Sequence, residues 1–405
     1  MPSLLRALNS RNYRIYFAGQ LVSLAGTWMQ QIAMVWLAYR LTGSALMLGA
    51  VGFATQIPIL VFGALGGVIT DRFDKRRLLM ATQILSLLQA LLLALLAWLG
   101  LITPAVLLAL AFGLGVINAL DIPTRQSLAV QLVDQREDLP NAIALNSMLM
   151  NVARFVGPAL AGFVVAALGE AVCFLLNGVS YLAVLLALTA IRLPAEVPRP
   201  AQGTPLQALR EGLRYVGAHP RIRASLVLIA ATSFLASPYL VLMPLFAREI
   251  LGGDARLYGL LVGCAGAGSL ASSVYLASRR DTRGLTRVVG WAAPLAGVAL
   301  VIFALSAHLT LTMPVLFGLG IGIMLVAAGS NTLIQTQVDN AFRGRVMALF
   351  TMALLGVAPL GSFAVGSLAH HFGVRATLVA CGLLTVMAGR AYQRHVRTLG
   401  SLPAR

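Results

Sequence analysis

The sequence predicts an all-α membrane protein in which twelve transmembrane helices form two pseudo-symmetric bundles of six. Composition is the first observation behind this class. Of the 405 residues, 59% are hydrophobic and only 11% are charged, whereas a soluble globular chain carries about 25% charged residues. So few charged groups cannot cover a surface that faces water, which excludes a soluble enzyme. The high apolar content also excludes intrinsic disorder.

Apolar runs are the second observation. A helix needs about 20 apolar residues to cross a bilayer, and twelve runs of this kind are separated by charges, Pro or Gly. They lie at residues 14–39, 45–70, 78–101, 104–123, 143–168, 171–191, 222–247, 257–278, 287–306, 310–333, 346–369 and 373–391. Most connectors between them are short, which favours packing of neighbouring helices against each other.

The distribution of basic residues is the third observation. The formal net charge is +17, and 29 of the 30 basic residues are Arg. If the N-terminus is cytoplasmic, 25 of them fall in cytoplasmic segments, four in outer segments, and Arg154 lies inside a span. This bias is typical of a membrane protein with both termini in the cytoplasm. We therefore interpret the charge as membrane anchoring and expect no nucleic-acid partner.

One connector is unusually long. Residues 192–221 contain five prolines and alternating charges, so we expect an N-terminal bundle at 1–191, a cytoplasmic connector at 192–221, and a C-terminal bundle with a short cytoplasmic tail at 222–405. Thr204 and Pro205 can cap and begin a helix in this connector. Its apolar residues would share one face of a short helix at the membrane surface: Leu206, Leu209, Leu213 and Val216. An unstructured tether is the alternative.

The two halves of the chain carry matching short motifs. Phe112-Gly-Leu-Gly115 recurs as Phe317-Gly-Leu-Gly320, 205 positions later. Three glycines recur at an offset of 204: Gly157, Gly162 and Gly169 match Gly361, Gly366 and Gly373. The halves therefore look like copies, as in transporters whose two bundles are related by an axis along the membrane normal.

The strongest local motif lies between the second and third runs. There Gly67 is followed at fixed spacing by Asp71, Arg72, Asp74 and a basic run that includes Arg76. The pattern resembles the loop signature of the major facilitator superfamily, which is Gly, three residues, Asp, a base, one residue, Gly and two bases. Asp74 stands where the signature has its second Gly. The resemblance implies the major facilitator fold, and plain anchoring of a helix end by basic residues is the alternative.

An acidic group lies at the inner end of the fourth run. Asp121 is at the edge of the bilayer, where a carboxylate is costly unless it is paired. Its candidate partners are Arg72, Arg76 and Arg125. In the superfamily, an acid here and the loop bases lock the cytoplasmic side. The resemblance thus implies a cytoplasmic gate with these members: Gly67, Asp71, Arg72, Arg76, Asp121 and Arg125. An ordinary salt bridge at a helix end is the alternative.

The fifth run contains a packing motif. Gly157, Pro158 and Gly162 resemble the Gly-Pro motif of antiporters in the superfamily, which occurs mainly in exporters. Small residues let helices approach closely, and Pro removes one backbone hydrogen bond. The resemblance implies export, and close helix packing without directional meaning is the alternative.

Polar residues inside the first and fifth runs define a candidate substrate cavity. A charged group inside a span, such as Arg154, usually faces a cavity and marks a functional site. In the superfamily, the first and fifth helices are expected to line the central cavity. The predicted cavity residues are Gln20, Ser23, Thr27, Gln30, Gln31, Asn151 and Arg154. Arg154 would then bind an acidic or catechol-like ligand or pair with a neighbouring acid. Hydrogen bonding between helices is the alternative for the polar stripe.

The sequence contains no phosphate-binding Gly-Lys-Ser/Thr motif, which excludes ATP hydrolysis by this chain. We expect no cofactor and no metal, because the three Cys lie in apolar runs and the paired His370 and His371 have no acid beside them. The superfamily resemblance implies proton coupling. The sequence does not point to a dedicated proton carrier, since the first run has no acid and Asp121 is assigned to the gate.

Short motifs also resemble the branch of the superfamily that includes the bacterial enterobactin exporter and related drug exporters. They lie at Leu120–Gln126, at Arg154 before the Gly-Pro pair, and at Arg343–Met347. The resemblance implies a monomeric secondary exporter of the bacterial inner (plasma) membrane. Its substrate would be a small amphipathic molecule, siderophore-like or drug-like, moved by alternating access with proton antiport. The alternatives are an importer of the same superfamily, a membrane-embedded lipid-modifying enzyme, and a non-transporting receptor or scaffold.

Overall fold

The computed structural model describes residues 3–191, 205–279, 281–339 and 342–400. Among these residues, twelve helical spans are long and apolar enough to cross a membrane, which confirms the predicted all-α membrane fold. The first six helices are α1 (Arg11–Thr42), α2 (Ala45–Arg72), α3 (Lys75–Trp98), α4 (Pro104–Gln131), α5 (Leu139–Leu168) and α6 (Glu170–Ala190).

In the described residues of the second half there are nine further α-helices. They are α7 (Pro205–Ala218), α8 (Pro220–Leu235), α9 (Tyr239–Leu245), α10 (Ala255–Ser278), α11 (Leu285–Leu305), α12 (Leu309–Gln337), α13 (Arg343–Thr351), α14 (Val357–Phe372) and α15 (Val374–Gly400). The connector helix α7 is too short to span a bilayer. The seventh and eleventh spans each combine two helices.

Both of these composite spans contain a π-helical turn. In the seventh span α8 and α9 lead into a π-helical turn at Phe246–Ile250, and in the eleventh a turn at Met352–Gly356 joins α13 to α14. The break between α8 and α9 falls at Pro238, which has no amide hydrogen to continue the helix. The sequence runs predicted the two spans but not these interruptions.

The duplicated glycines have equivalent conformations in the two halves. Gly169 ends α5 with φ +84°, and Gly373 ends α14 with φ +83°. Glycine adopts this left-handed region without the steric penalty that a Cβ brings. The fifth and eleventh spans are therefore terminated in the same way.

The duplicated pair Gly157 and Gly361 also makes equivalent contacts. A Cβ added at Gly157 would lie 2.5 Å from the Trp28 Cβ of α1, and one added at Gly361 would lie 2.4 Å from the Phe234 carbonyl oxygen of α8. Each glycine thus lets its own span pack closely on the first span of the same half.

A second duplicated pair, Gly162 and Gly366, contacts the other half of the chain. A Cβ added at Gly162 would lie 3.0 Å from the Gly259 Cα of α10, and one added at Gly366 would lie 2.8 Å from the Gly49 Cα of α2. Both crossings place glycine against glycine. Four matched glycines therefore make two kinds of contact, each occurring twice, as an internal duplication predicts.

These crossings agree with the division of the chain into two compact units. The first unit contains α1, the part of α2 from Ile57 onward, α3 to α6, and residues 254–263 at the start of α10. The second unit contains residues 43–56, which include the beginning of α2, and the rest of the second half. Each unit thus includes a segment from the opposite half. The boundaries expected from the sequence, at 191 and 222, stay a prediction.

The connector helix α7 packs on the beginning of the eleventh span. Thr204, its expected cap, lies outside the described residues. Tyr215 and Val216 are buried, whereas Leu213 is 55% exposed. The apolar face expected from the sequence is thus only partly used.

Polar contacts reinforce this packing. The Tyr215 hydroxyl donates to the Asp339 carboxylate at 3.0 Å and accepts from the Asp339 backbone amide at 3.1 Å. The Tyr215 ring stacks on Phe342 with centroids 4.5 Å apart, and Glu211 pairs with Arg345 at 3.0 Å. The structure therefore holds α7 against protein through specific contacts.

Replacing Tyr215 with Phe removes both hydrogen bonds and keeps the ring. We expect a loss of about 1–3 kcal/mol of stability, because the Asp339 amide and carboxylate lose their partner. Thermal unfolding of the purified protein in detergent measures the effect. Leu213→Ala, on the exposed side of the same helix, is the control and should leave the midpoint within about a degree of the native value. Equal midpoints for Tyr215→Phe and the native protein would contradict the conclusion that the Tyr215–Asp339 hydrogen bonds hold α7 in place.

Candidate functional site

Asp121 is buried where α3 and α4 meet. Its Oδ1 accepts hydrogen bonds from the Thr82 hydroxyl at 2.9 Å and from the Gln83 side-chain amide at 2.7 Å. Its Oδ2 lies 3.4 Å from the Arg125 Nε, one helical turn further along α4. Both carboxylate oxygens therefore have partners, as a buried charge requires. Of the three bases considered from the sequence, Arg125 makes the ion pair.

Arg76 donates its hydrogen bonds to the end of α6. Its Nε donates to the Leu188 carbonyl oxygen at 2.7 Å, and its Nη2 donates to that of Thr189 at 3.0 Å. These carbonyls belong to the last turn of α6, whose acceptors have no partner within the helix. Arg76 thus joins the beginning of α3 to the end of α6. Arg72 is exposed, and the side chain of Asp71 lies outside the described residues.

Close contact between α2 and α4 depends on Gly66. A Cβ added there would lie 2.1 Å from the Ala119 carbonyl oxygen, whereas one added at Gly67 would meet nothing within 4 Å. One turn further, the hydroxyl groups of Thr70 and Thr124 are hydrogen-bonded at 2.8 Å. The signature glycine Gly67 is therefore not the one that the packing requires.

Asp74 caps α3. Its side chain accepts a hydrogen bond from the Arg77 backbone amide at 2.7 Å, and its φ is −59°. An aspartate at this position satisfies one of the free amides at the beginning of a helix. The departure from the signature, Asp in place of Gly, is thus explained by a negative φ and an N-cap role.

Trp28 and Arg154 lie at the contact between α1 and α5. The Arg154 guanidinium carbon is 5.5 Å from the centroid of the Trp28 ring, which is a cation–π geometry. Gly157, one turn after Arg154, makes the close approach to Trp28 possible, and Pro158 beside it is buried. The helix-five motif therefore positions Arg154 against α1.

The polar stripe of α1 is divided between two environments. Gln20 and Ser23 are buried, Thr27 is half-buried, and Gln31 is exposed. Among the residues that the structure describes, the Gln20 amide nitrogen has no hydrogen-bond partner. The Thr27 hydroxyl donates to the Ser23 carbonyl oxygen at 2.9 Å. On α5, Asn151 is buried on the same helix as Arg154.

Gln30 belongs to a hydrogen-bond network inside the first unit. Its amide nitrogen donates to the Gln89 Oε1 of α3 at 2.9 Å, and its Oε1 accepts from the Asn177 Nδ2 of α6 at 2.7 Å. Gln89 donates in turn to the Leu110 carbonyl oxygen of α4 at 3.2 Å. The polar stripe of α1 was expected either to line a cavity or to form hydrogen bonds between helices. For Gln30 the geometry favours hydrogen bonding between helices.

Solved structures with this fold are membrane transporters. A bacterial homologue of the human lysosomal transporter Spinster, in its inward-facing and unoccupied conformation, superposes with a TM-score of 0.76 at 16% identity, covering 96% of this chain and 97% of that one. A POT family transporter in complex with a thioalcohol-conjugated peptide gives a TM-score of 0.76 at 11% identity, covering 96% of each chain. The fold is therefore that of the major facilitator transporters.

The chain belongs to the transmembrane secretion effector family, whose sequence profile matches residues 3–401. It is similar to the Staphyloferrin A transporter of Staphylococcus aureus, with 26% identity over 379 residues covering 92% of this chain and 93% of the relative. It is also similar to the multidrug efflux pump Tap of Mycolicibacterium fortuitum, with 28% identity over 379 residues and coverage of 90% and 91%. The protein is thus a multi-pass membrane transporter for a small molecule and not an enzyme, which confirms the superfamily expected from the sequence.

The neighbouring glycines Gly66 and Gly67 provide a matched test of the packing. Gly66→Ala places a methyl group against the Ala119 backbone, so α2 and α4 must separate, and overpacking of this kind costs about 1–3 kcal/mol. Gly67→Ala meets open space and should be neutral or slightly stabilising, since Ala favours helix. Thermal unfolding midpoints of the two purified variants decide the order. A larger loss for Gly67→Ala would contradict this assignment.

A second matched pair tests the cap of α3. Asp74→Ala removes the acceptor for the Arg77 amide and should lower stability by about 1 kcal/mol, whereas Asp74→Gly should cost only a few tenths. Chemical or thermal unfolding of both variants, beside the native protein, measures the difference. If the Gly variant were as unstable as the Ala variant, the capping role would be wrong.

Proposed function

We propose that this protein is a secondary exporter that moves a small amphipathic molecule, siderophore-like or drug-like, out of the bacterial cytoplasm. The observation that carries the proposal is Arg154, held over Trp28 inside the membrane-spanning part of α5. A guanidinium inside a span is costly and is normally kept for a functional site. The guanidinium is partly exposed, and its cation–π contact with Trp28 is worth about 0.5–2 kcal/mol.

Polar and aromatic residues on the same two helices, α1 and α5, suggest how a ligand binds. The guanidinium group can form two parallel hydrogen bonds to a carboxylate or to the adjacent oxygens of a catecholate. Trp28 offers an apolar surface beside it. The Gln20 amide, which lacks a hydrogen-bond partner among the described residues, can donate to a further ligand oxygen. An anionic head with an apolar body matches these groups, and Asn151 on α5 completes the proposed set.

Export is supported by two observations. The Gly157, Pro158 and Gly162 motif resembles that of exporters in the superfamily, and one relative is an efflux pump.

We propose alternating access with a proton as the coupling ion, a monomeric protein, and both termini in the cytoplasm. Among the described residues, the buried carboxylates of Asp121 and Glu170 have Arg125 and Arg40 as partners, at 3.4 Å and 3.1 Å. The proposed cytoplasmic gate is centred on Asp121 of α4, whose partners are Thr82, Gln83 and Arg125.

Transport assays in proteoliposomes with an imposed pH gradient test the proposal. Native protein should accumulate an anionic siderophore from a panel that also contains a cationic drug. Arg154→Lys and Arg154→Ala should raise the KM for the anionic compound about 10- to 100-fold, because hydrogen bonds to a charged group contribute about 1.5–3 kcal/mol. The KM for the cationic compound should change little.

Two controls make this assay decisive. Trp98→Ala removes an exposed tryptophan, 73% accessible at the end of α3, and should transport like the native protein, whereas Trp28→Ala should resemble Arg154→Ala. Equal KM values for native protein and Arg154→Ala would remove Arg154 from the site. Transport that ignores the pH gradient would remove proton coupling, and net movement in the opposite direction would make the protein an importer.

A further inference from the structure

A groove of the second unit lies where α10, α11 and α12 come together. Its volume is about 360 Å³, within the range of ligand-binding clefts. The residues that line it are Ala271, Ser272, Tyr275, Val288, Ile321 and Leu325. Aliphatic and aromatic carbon atoms make up most of this lining. The groove is therefore suited to a hydrocarbon chain.

Packing of the helix backbones fixes the shape of the groove. Close in sequence to the lining residues, a Cβ added at Gly268 would lie 2.0 Å from the Phe317 carbonyl oxygen, and one added at Gly320 would lie 2.0 Å from that of Ala265. One turn further along α10, the Ser272 hydroxyl donates to the Ile321 carbonyl oxygen at 3.0 Å. Close backbone contacts and this hydrogen bond thus keep α10 and α12 together beside the groove.

Basic groups lie next to two of the lining residues, Tyr275 and Val288. The Arg279 Nη1 donates to the Tyr275 hydroxyl at 2.8 Å, and its guanidinium carbon is 5.7 Å from the centre of that ring. Arg287, which precedes the lining residue Val288 on α11, is exposed. Tyrosine and arginine at the end of a membrane-spanning helix are typical of the level of lipid head groups.

We propose that this groove is a binding site for one anionic phospholipid, with an acyl chain along α10 and α12 and the phosphate at Arg279 and Arg287. Charge complementarity selects this occupant, because a neutral lipid would use the apolar groove but gain little from two cationic side chains. Basic pockets between transmembrane helices bind anionic head groups in this way. The site lies on helices other than α1 and α5, so it is independent of the proposed substrate site.

Native mass spectrometry of the full-length protein, released from detergent, tests the proposal. The probes are dioleoyl phosphatidylglycerol and dioleoyl phosphatidylcholine, added separately at increasing concentration. The first phosphatidylglycerol should bind about 25-fold more tightly than the first phosphatidylcholine, since each of the two arginines near the membrane surface contributes roughly a fivefold gain. Arg279→Gln should reduce this preference to about fivefold and leave phosphatidylcholine binding unchanged.

Matched variants separate the groove from general lipid contact. Ala271→Phe fills the groove and should weaken the first binding event for both lipids about tenfold. Val274→Phe introduces the same phenylalanine side chain at an exposed position of α10 outside the lining residues. Arg375→Gln removes an exposed base at the beginning of α15. Both variants should bind like the native protein. If Ala271→Phe does not fold, the double variant Arg279→Gln with Arg287→Gln supplies the test by abolishing the preference.

Two results would overturn the proposal. One is equal affinity of the native protein for the two lipids. The other is a loss of preference in Arg375→Gln as large as in Arg279→Gln, which would indicate general attraction to a basic surface.

Discussion

Close contact between helix backbones is the constraint on which the rest of this structure depends. In a bilayer the lipid tails are as apolar as the side chains, so helices associate through packing and hydrogen bonds instead of a hydrophobic driving force. Glycine allows that packing where α5 meets α1 at Gly157 and where α14 meets α8 at Gly361. The same close packing occurs in both halves. In the first half it brings Trp28 of α1 against the part of α5 that carries Arg154.

Polar side chains are used in two ways on this scaffold. Gln30 and Asp121 have their hydrogen-bonding groups engaged by neighbouring helices, so they stabilise the first unit. Gln20 is buried without a partner for its amide nitrogen among the described residues, and Arg154 contacts the face of an aromatic ring. The first arrangement is complete in the protein alone, whereas the Gln20 amide nitrogen keeps a hydrogen-bond donor for a ligand. This contrast is the physical basis of the proposed transport site.

The helices were predictable from the sequence because a span needs about 20 apolar residues. The duplication was predictable from the matched glycines, because small residues recur where helix backbones make contact. Side-chain partners were less accessible to sequence reasoning. The loop signature drew attention to Gly67, yet the neighbouring Gly66 makes the contact, since only the rotation of α2 decides which faces Ala119. Arg76 was grouped with Asp121 by charge, but the carbonyls at the end of α6, which no sequence pattern marks, receive its hydrogen bonds.

Gln20 and Gln30 of α1 are both buried in this structure. In the proposed transport cycle, Gln20 becomes accessible to a wet substrate site, whereas Gln30 stays enclosed among helices. Cysteine accessibility tests it most directly, in protein whose Cys173, Cys264 and Cys381 have been replaced by Ala and which is reconstituted in liposomes. Gln20→Cys should react with a small hydrophilic thiol reagent during transport and be protected by substrate, whereas Gln30→Cys, ten residues along the same helix, should stay unreactive. Equal reactivity at the two positions, or no protection at Gln20→Cys, would contradict the account.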